Sequence, residues 1–204
     1  MMIALLIGVA AAQGPSVAEY FPLKPGITWT YQEVGGITTN VYTDKVGEPI
    51  DIEGKPASPI ISSLRGKQIG STYYRIEDNT VFIVAYNPKK PLSTPQPVMK
   101  LGAARLKWEY AGDSVFLNEA IGLVMKAESG LAGKRPVMGV ETSVVEIKLS
   151  GVLGENPELA LKVDQVAYYA KGIGLVEMLS ENRLGTRTSK TQLKLVKFEP
   201  APGD

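Results

Sequence analysis

The sequence YYAKGIGLVEM, residues 168–178, places two glycines around one isoleucine and between two apolar segments. Glycine lets the backbone take a positive φ or approach a neighbour closely where a side chain would not fit. In a β pattern such glycines mark a bulge or a tight bend made against a core. The spacing of Gly172 and Gly174 alone would also fit a dinucleotide-binding loop, but position 177 is Glu and the following residues favour a strand. We therefore interpret the stretch as a corner of a β-sheet.

The composition is that of an ordinary globular protein and excludes several kinds of chemistry. The chain has 204 residues, no Cys, no His, and 22 basic against 21 acidic side chains. A disulfide, a zinc site built from Cys or His, a Cys nucleophile and a Ser-His-Asp triad are therefore excluded. The balanced charge provides no attraction for nucleic acid or for a membrane surface. We predict no metal site, no cofactor and no nucleic-acid partner.

The N-terminal residues predict export. Residues 3–12 form an apolar run that ends in three alanines and precedes Gln13, Gly14 and Pro15. This is typical of a secretory signal peptide, and it is too short for a membrane span, which needs roughly 20 apolar residues. We predict a signal peptide over residues 1–12 and an exported protein with no transmembrane segment and, since no Cys follows the site, no lipid anchor. The alternative is a buried first strand or helix of a protein that is not exported.

Alternating apolar and polar residues predict an antiparallel β protein. Trp29 and Tyr31 alternate with polar neighbours, and Gly35 and Gly36 suit the tight turn of a hairpin over residues 27–44. Similar patterns recur along the chain, and a sheet with one apolar face must curl or fold over to bury it. We predict an all-β, mainly antiparallel fold: a strongly curved sheet, half-barrel or barrel-like sandwich of about ten to twelve strands with one short helix.

Interruptions in this pattern predict the domain organisation. We expect an extended lead-in at residues 13–26, a single β domain at 27–199 and a tail at 200–204. Four prolines predict an exposed linker or crossover at residues 87–97. Residues 156–162 predict the short helix, with Asn at the cap position and Pro at the first helical position.

Aromatic side chains are concentrated in the predicted strands. Most should belong to the core, but on the concave side of an open sheet they could line an apolar cavity, the usual form of a small-molecule or lipid site. The candidate lining residues are Trp29, Tyr31, Tyr74, Phe82, Trp108, Tyr110 and Tyr168. Gly172 and Gly174 receive a structural role at the bend, and no residue is assigned a catalytic role.

Polar clusters offer weaker candidates. A hydrolase could use a carboxylate pair such as Glu141 and Glu177, although each fits a solvent-facing strand position. The acidic residues of the 44–53 segment lack the ligand spacing of a calcium loop. Basic residues of the C-terminal hairpin fit a solvated face or a docking site for an anionic partner or lipid headgroup. They are Arg183, Arg187, Lys190, Lys194 and Lys197.

Two stretches resemble a family of uncharacterised bacterial exported proteins and predicted lipoproteins. They are YFPLKPG at residues 20–26, followed by Trp29 and Tyr31, and YYAKGIGLV at residues 168–176; residues 106–110 match more loosely, and together they cover about a fifth of the chain. The resemblance implies an exported, mostly antiparallel β protein, similar in build to the curved-sheet lipoprotein carriers of the periplasm. The lipoprotein members carry a lipid-modified Cys that this chain lacks. The resemblance implies no catalytic residues.

We therefore expect a non-enzymatic exported β protein that binds a hydrophobic small molecule, a lipid or an envelope protein in the concavity of its sheet. One alternative is a structural or interaction module of the cell envelope without a ligand cavity. Another is a carboxylate-dependent hydrolase.

Overall fold

The fold is a single antiparallel sheet, seen in a computed structural model that describes residues 14–116, 119–154 and 160–203. The predicted signal peptide at residues 1–12 lies outside these residues. The described elements are α1 (Val17–Tyr20), β1 (Thr28–Gly35), β2 (Thr38–Val46), β3 (Ile50–Ile52), β4 (Lys55–Leu64), β5 (Lys67–Glu77), β6 (Thr80–Asn87), β7 (Lys90–Lys100), β8 (Leu106–Phe116), β9 (Glu119–Val137), β10 (Val140–Leu153), β11 (Leu161–Ala170), β12 (Gly174–Leu184) and β13 (Arg187–Glu199).

Two runs of hairpins are joined through the first and last long strands. The hydrogen-bonded order is β7-β6-β5-β4-β2-β1-β13-β12-β11-β10-β9-β8, and β3 pairs with β4 beside this path. Every adjacent pair is antiparallel, and the sheet curves until it is nearly closed into a barrel. The prediction of an all-β, strongly curved antiparallel sheet is confirmed.

The predicted linker at residues 87–97 is wrong, because most of it belongs to β7. Pro97 lies opposite Phe82 and Pro91 opposite Ala85, and the register between β6 and β7 shifts three times. Proline cannot donate a ladder hydrogen bond, so it is found on edge strands and at bulges. Because β7 lies at one end of the hydrogen-bonded order, it pairs with β6 alone. Its prolines therefore remove no hydrogen bonds to a second neighbouring strand.

The predicted helix and the predicted termini also differ from what is observed. Residues 156–159 lie outside the described residues, and Leu161 and Lys162 begin β11. The described helix is α1, a single turn within the lead-in at 13–26 that the sequence predicts to be extended. No helix among the described residues is long and apolar enough to cross a membrane. In the predicted tail, Ala201 is buried in a cluster that also contains Ile27.

Side chains close the gap between the two ends of the sheet. The Trp108 indole N–H donates to the Pro97 carbonyl oxygen (3.3 Å), and the Tyr110 hydroxyl donates to the Thr94 carbonyl oxygen (3.1 Å). The Ser129 hydroxyl donates to another β7 carbonyl. These bonds occupy main-chain acceptors of β7 that would otherwise form an open sheet edge, the usual site of pairing with another chain.

The apolar core lies inside the curved sheet, and α1 closes one end of it. Val17 and Tyr20 of α1 pack with Met99, Trp108 and Met125. The outward face instead carries cross-strand ion pairs, including Arg105 with Glu128 at 2.9 Å and Lys126 with Glu109 at 3.0 Å. Such exposed pairs contribute little to stability, so the inner cluster provides most of the free energy of folding.

Asn79, in the turn between β5 and β6, holds the lead-in across this end of the sheet. Its Oδ1 accepts a hydrogen bond from the Val17 N–H at 2.8 Å. Its Nδ2 donates to the carbonyl oxygens of Pro15 (3.1 Å) and Leu101 (2.7 Å). One amide side chain therefore joins the lead-in, the β5–β6 turn and the end of β7.

We expect Asn79→Asp to destabilise the protein by about 2 kcal/mol. The Asp carboxylate can still accept the hydrogen bond from the Val17 N–H, but it has no N–H to donate to the carbonyl oxygens of Pro15 and Leu101. Urea unfolding at neutral pH measures this. The control is Asp78→Asn, the converse exchange at the neighbouring exposed position, which we expect to change stability by less than about 0.5 kcal/mol. Equal stabilities of the two variants would show that Asn79 does not anchor the lead-in.

Candidate ligand-binding site

A cavity of about 120 Å³ lies between the lead-in and the concave face of the sheet. Its walls come from β1, β2, β4, β5, β11 and β12, together with Phe21 and Pro22 of the lead-in. Residues directly opposite in an antiparallel pair share a face. The register places Asp44 opposite both Trp29 and Ser62, so these three side chains share the inner face.

Five of the twelve described residues that line the cavity are aromatic. They are Phe21, Trp29, Tyr31, Tyr74 and Tyr169. The ring centroids of Phe21 and Tyr74 are 5.0 Å apart, and those of Phe21 and Tyr169 are 5.9 Å apart, which is the usual range for paired rings. Phe21 therefore connects strands from the two halves of the sheet across the cavity.

The two β1 aromatics are fixed by the backbone on either side of Gly174. The Trp29 indole N–H donates to the Ile173 carbonyl oxygen at 2.5 Å, and the Tyr31 hydroxyl donates to the Leu175 carbonyl oxygen at 3.2 Å. Both rings are buried. A buried polar group that keeps its hydrogen bond avoids a large desolvation cost, so these bonds fix the orientation of the wall.

The glycine-rich stretch is the turn of the β11–β12 hairpin. The sequence predicts a corner of the sheet between two strands, and a register shift between Tyr168 and Tyr169 accompanies the observed turn. Gly172 has φ +76° and Gly174 has φ +102°, values that L side chains rarely adopt. A Cβ at Gly174 would lie 3.3 Å from Trp29 ring atoms, whereas a Cβ at Gly172 would meet open space. The missing side chain at Gly174 therefore also lets the Trp29 indole pack directly against the backbone.

Asp44 places a half-buried carboxylate in this aromatic wall. Burial raises the pKa of the Asp44 carboxyl, and a hydrogen bond with Ser62 partly offsets this effect. No ion pair between described residues includes Asp44. The cavity therefore holds a partly desolvated acidic group that no cation among the described residues neutralises.

The tyrosines of the cavity remain neutral phenols at physiological pH. Burial raises the pKa of Tyr169 to about 12. Burial also raises the pKa values of Tyr31 and Tyr74, and the Asp44 charge adds to both shifts. Asp44 is the one carboxyl group among the described lining residues.

Three of the seven predicted aromatic residues line the cavity, namely Trp29, Tyr31 and Tyr74. Trp108 and Tyr110 instead belong to the seam between β7 and β8. Tyr168 lies outside the cavity: the Arg135 guanidinium lies 3.8 Å from its ring centroid, and its hydroxyl donates to Glu146 at 3.2 Å. Phe82 packs with Ile52 and Val84 in a separate cluster.

Sequence reasoning did not place Asp44 and Tyr169 in the cavity wall, because their positions depend on which strand residues they pair with. The hairpin of β1 and β2 turns at Gly36 and Ile37, rather than at Gly35 and Gly36, because Gly35 pairs with Thr38. This register puts Asp44 opposite Trp29, whereas the predicted turn would put Tyr42 there. Tyr169 pairs with Leu175 and with Val145. These apolar partners indicate that its side chain faces inward.

The other polar candidates have partners elsewhere. Glu141 is exposed, and Glu177 accepts a hydrogen bond from Gln192 and lies 4.0 Å from Arg135. Among the described residues no three acidic side chains are grouped as a metal site would require. In the basic hairpin, Arg183 pairs with Asp164 and Glu181, Lys190 with Glu181, and Lys197 with Glu199.

Gly172→Ala and Gly174→Ala separate backbone strain from crowding. We expect Gly172→Ala to lower the free energy of unfolding by about 1 kcal/mol, because only the positive φ is penalised. Gly174→Ala should cost at least about 1 kcal/mol more, because its Cβ also crowds Trp29. Urea unfolding measures both costs, and a shifted tryptophan emission in Gly174→Ala alone would report the displaced indole. Equal costs would contradict a role for Gly174 in seating Trp29.

The raised pKa of Asp44 predicts a pH-dependent stability difference between the wild type and Asp44→Asn. A carboxyl whose pKa is higher in the folded state stabilises the fold when protonated, and this contribution is lost as pH rises through the folded pKa. Asp44→Asn should therefore be the more stable protein at neutral pH, and the difference should shrink toward the ordinary aspartate pKa of 3.8. Thermal unfolding across this range measures it; a difference that grows on acidification would contradict the assignment.

Comparisons with known proteins give distant structural likenesses. No protein family and no curated protein matches the sequence. A provisionally assigned lipoprotein of Parabacteroides distasonis is 11% identical, with a TM-score of 0.44 over 88% of this chain and 98% of that chain. A provisionally assigned exported protein of Bacteroides fragilis with a YmcC-like fold is 14% identical, with a TM-score of 0.44 over 89% and 99%. The hypothetical lipoprotein YmcC of Escherichia coli is 11% identical, with a TM-score of 0.36 over 88% and 93%. Likenesses this distant assign neither a family nor a function.

Proposed function

We propose that this protein is an exported, non-enzymatic binding protein that holds a small molecule in the aromatic cavity. The observation that carries the proposal is the combination of an aromatic wall with the Asp44 carboxylate, which forms no ion pair with another described residue. Binding sites are typically apolar concavities with a few placed polar groups, and this cavity fits that description. Export is supported by the apolar run at residues 3–12.

The cavity volume favours a small ligand over a lipid. Sites for drug-sized molecules typically occupy roughly 300 to 1,000 Å³, and an engineered cavity of about 150 Å³ holds benzene. At about 120 Å³ this cavity suits a ligand, or the end of a ligand, of roughly five to eight non-hydrogen atoms. A whole acyl chain would exceed it.

The lining residues argue against a hydrolase. Glycoside hydrolysis normally uses two carboxylates, one as acid and one as base or nucleophile. Among the described lining residues Asp44 is the single carboxylate, and Glu177 is held by Arg135 and Gln192 elsewhere. Since the sequence contains neither Cys nor His, the usual nucleophile and base pairs are also missing.

An interaction module without a ligand is less well supported. The β7 edge, where another chain would pair, is covered by hydrogen bonds from Trp108, Tyr110 and Ser129. Most of the basic side chains in the β12–β13 hairpin form ion pairs with acidic neighbours, which reduces their attraction for an anionic partner.

Ile60→Phe and Ile61→Phe form a matched test of binding in the cavity. Ile60 lines the cavity, and its neighbour Ile61 lies on the opposite face of β4 because strand side chains alternate. We expect ligand-observed NMR to identify binders in a panel of small neutral, cationic and anionic molecules. Ile60→Phe should weaken their binding at least tenfold by filling the cavity, while Ile61→Phe should leave it unchanged.

The proposal fails if no panel member binds, or if binding is equally strong in the two variants. Thermal unfolding of both variants serves as the control for folding. As an independent readout, mass spectrometry of wild-type protein purified from its native envelope should detect a retained small molecule, and Ile60→Phe should retain less of it.

A further inference from the structure

We propose that the cavity selects a small organic cation, with Asp44 as its counter-ion and the rings of Trp29, Tyr31 and Tyr74 as its walls. This inference rests on the proposed binding function and specifies the chemical class of the ligand. It is carried by three features of the cavity: a carboxylate without an ion pair among the described residues, the lack of Lys and Arg among the described lining residues, and a wall of aromatic rings.

The first feature is the charge of Asp44. A carboxylate removed from water is costly unless a cation or several hydrogen bonds compensate it. Ser62 supplies one hydrogen bond, and no ion pair between described residues reaches Asp44. A ligand with a positive charge would supply the missing partner, whereas a neutral ligand would displace water and leave the carboxylate less solvated.

The second feature is the lack of basic side chains among the described lining residues, together with the use of two of the donors. The Trp29 indole N–H is donated to Ile173, and the Tyr31 hydroxyl is donated to Leu175. Tyr74 forms a side-chain hydrogen bond with Thr72. An anionic ligand needs free donors or a basic side chain, and the described lining residues include neither Lys nor Arg. The described lining residues therefore offer a charged partner to a cation, in Asp44, and none to an anion.

The third feature is the aromatic wall. The faces of aromatic rings attract cations through the ring quadrupole, most strongly for Trp, and aromatic cages are a common way to hold quaternary ammonium groups. A metal ion is a poorer fit, because Ca²⁺ takes six to eight oxygen ligands, about the number that several carboxylates and carbonyls supply together. No metal-binding group of acidic residues occurs among the described residues. An alkylammonium group of modest volume matches both the charge and the wall.

Choline and its uncharged carbon isostere, 3,3-dimethylbutan-1-ol, test the inference directly. They share one shape and differ in the charge, so their affinity ratio reports the selection for a cation. We expect the wild-type protein to bind choline at least tenfold more tightly, measured by isothermal titration calorimetry and by NMR. Asp44→Asn should weaken choline binding at least tenfold and leave the binding of the alcohol within about twofold, since a buried charge pair contributes more than a neutral contact.

A second readout uses the unmodified protein. Choline affinity should fall as the pH is lowered through the pKa of Asp44, because protonation removes the counter-ion, whereas the affinity for the alcohol should stay constant. This measurement keeps the inference falsifiable if Asp44→Asn is poorly folded.

Each contrary result overturns the inference. These results are absent choline binding, a wild-type affinity for the alcohol equal to that for choline, and choline binding that is insensitive both to Asp44→Asn and to pH. The proposed binding function is judged separately: a neutral or anionic panel molecule that binds the wild type and is lost in Ile60→Phe would retain that function while excluding selection for a cation.

Discussion

The pairing of β1 with β13 is the contact on which the rest of the structure depends. It joins the run of strands from β2 to β7 to the run from β8 to β12, so that both runs belong to one curved sheet. The register shifts between Thr30 and Tyr31 in this pairing, next to the two β1 aromatics. Because Trp29 and Tyr31 each donate to the backbone around Gly174, the same strand that unites the sheet also builds the cavity wall.

The fold class could be predicted from sequence because alternation of apolar and polar residues reports directly which face is buried. The failures occurred where another constraint was stronger. Residues 87–97 form most of β7 despite their prolines, because β7 ends the sheet and its free acceptors are satisfied by side chains such as Trp108. A proline-rich edge strand lacks the usual composition of a strand, so its pattern was interpreted as a linker.

The candidate site could be predicted only in part, because its membership depends on register. A turn placed one residue away exchanges Asp44 for Tyr42 opposite Trp29. This change keeps the same side chains on the inner face, so the hydrophobic pattern of one sequence does not reveal it. The signal for Asp44 would have been an acidic residue paired with the buried Trp29, which can be recognised once the register is known.

The union of the first and last strands also determines when the sheet can form. A chain that crosses a membrane or leaves the ribosome N-terminus first would present β1 long before β13. Until then β1 can pair with β2 alone, and Trp29 and Tyr31 lack their acceptors on the β11–β12 turn. Contacts so distant in sequence make folding slow. The open strand edges and aromatic rings of the incomplete sheet are therefore the surfaces that a chaperone would have to protect during this interval.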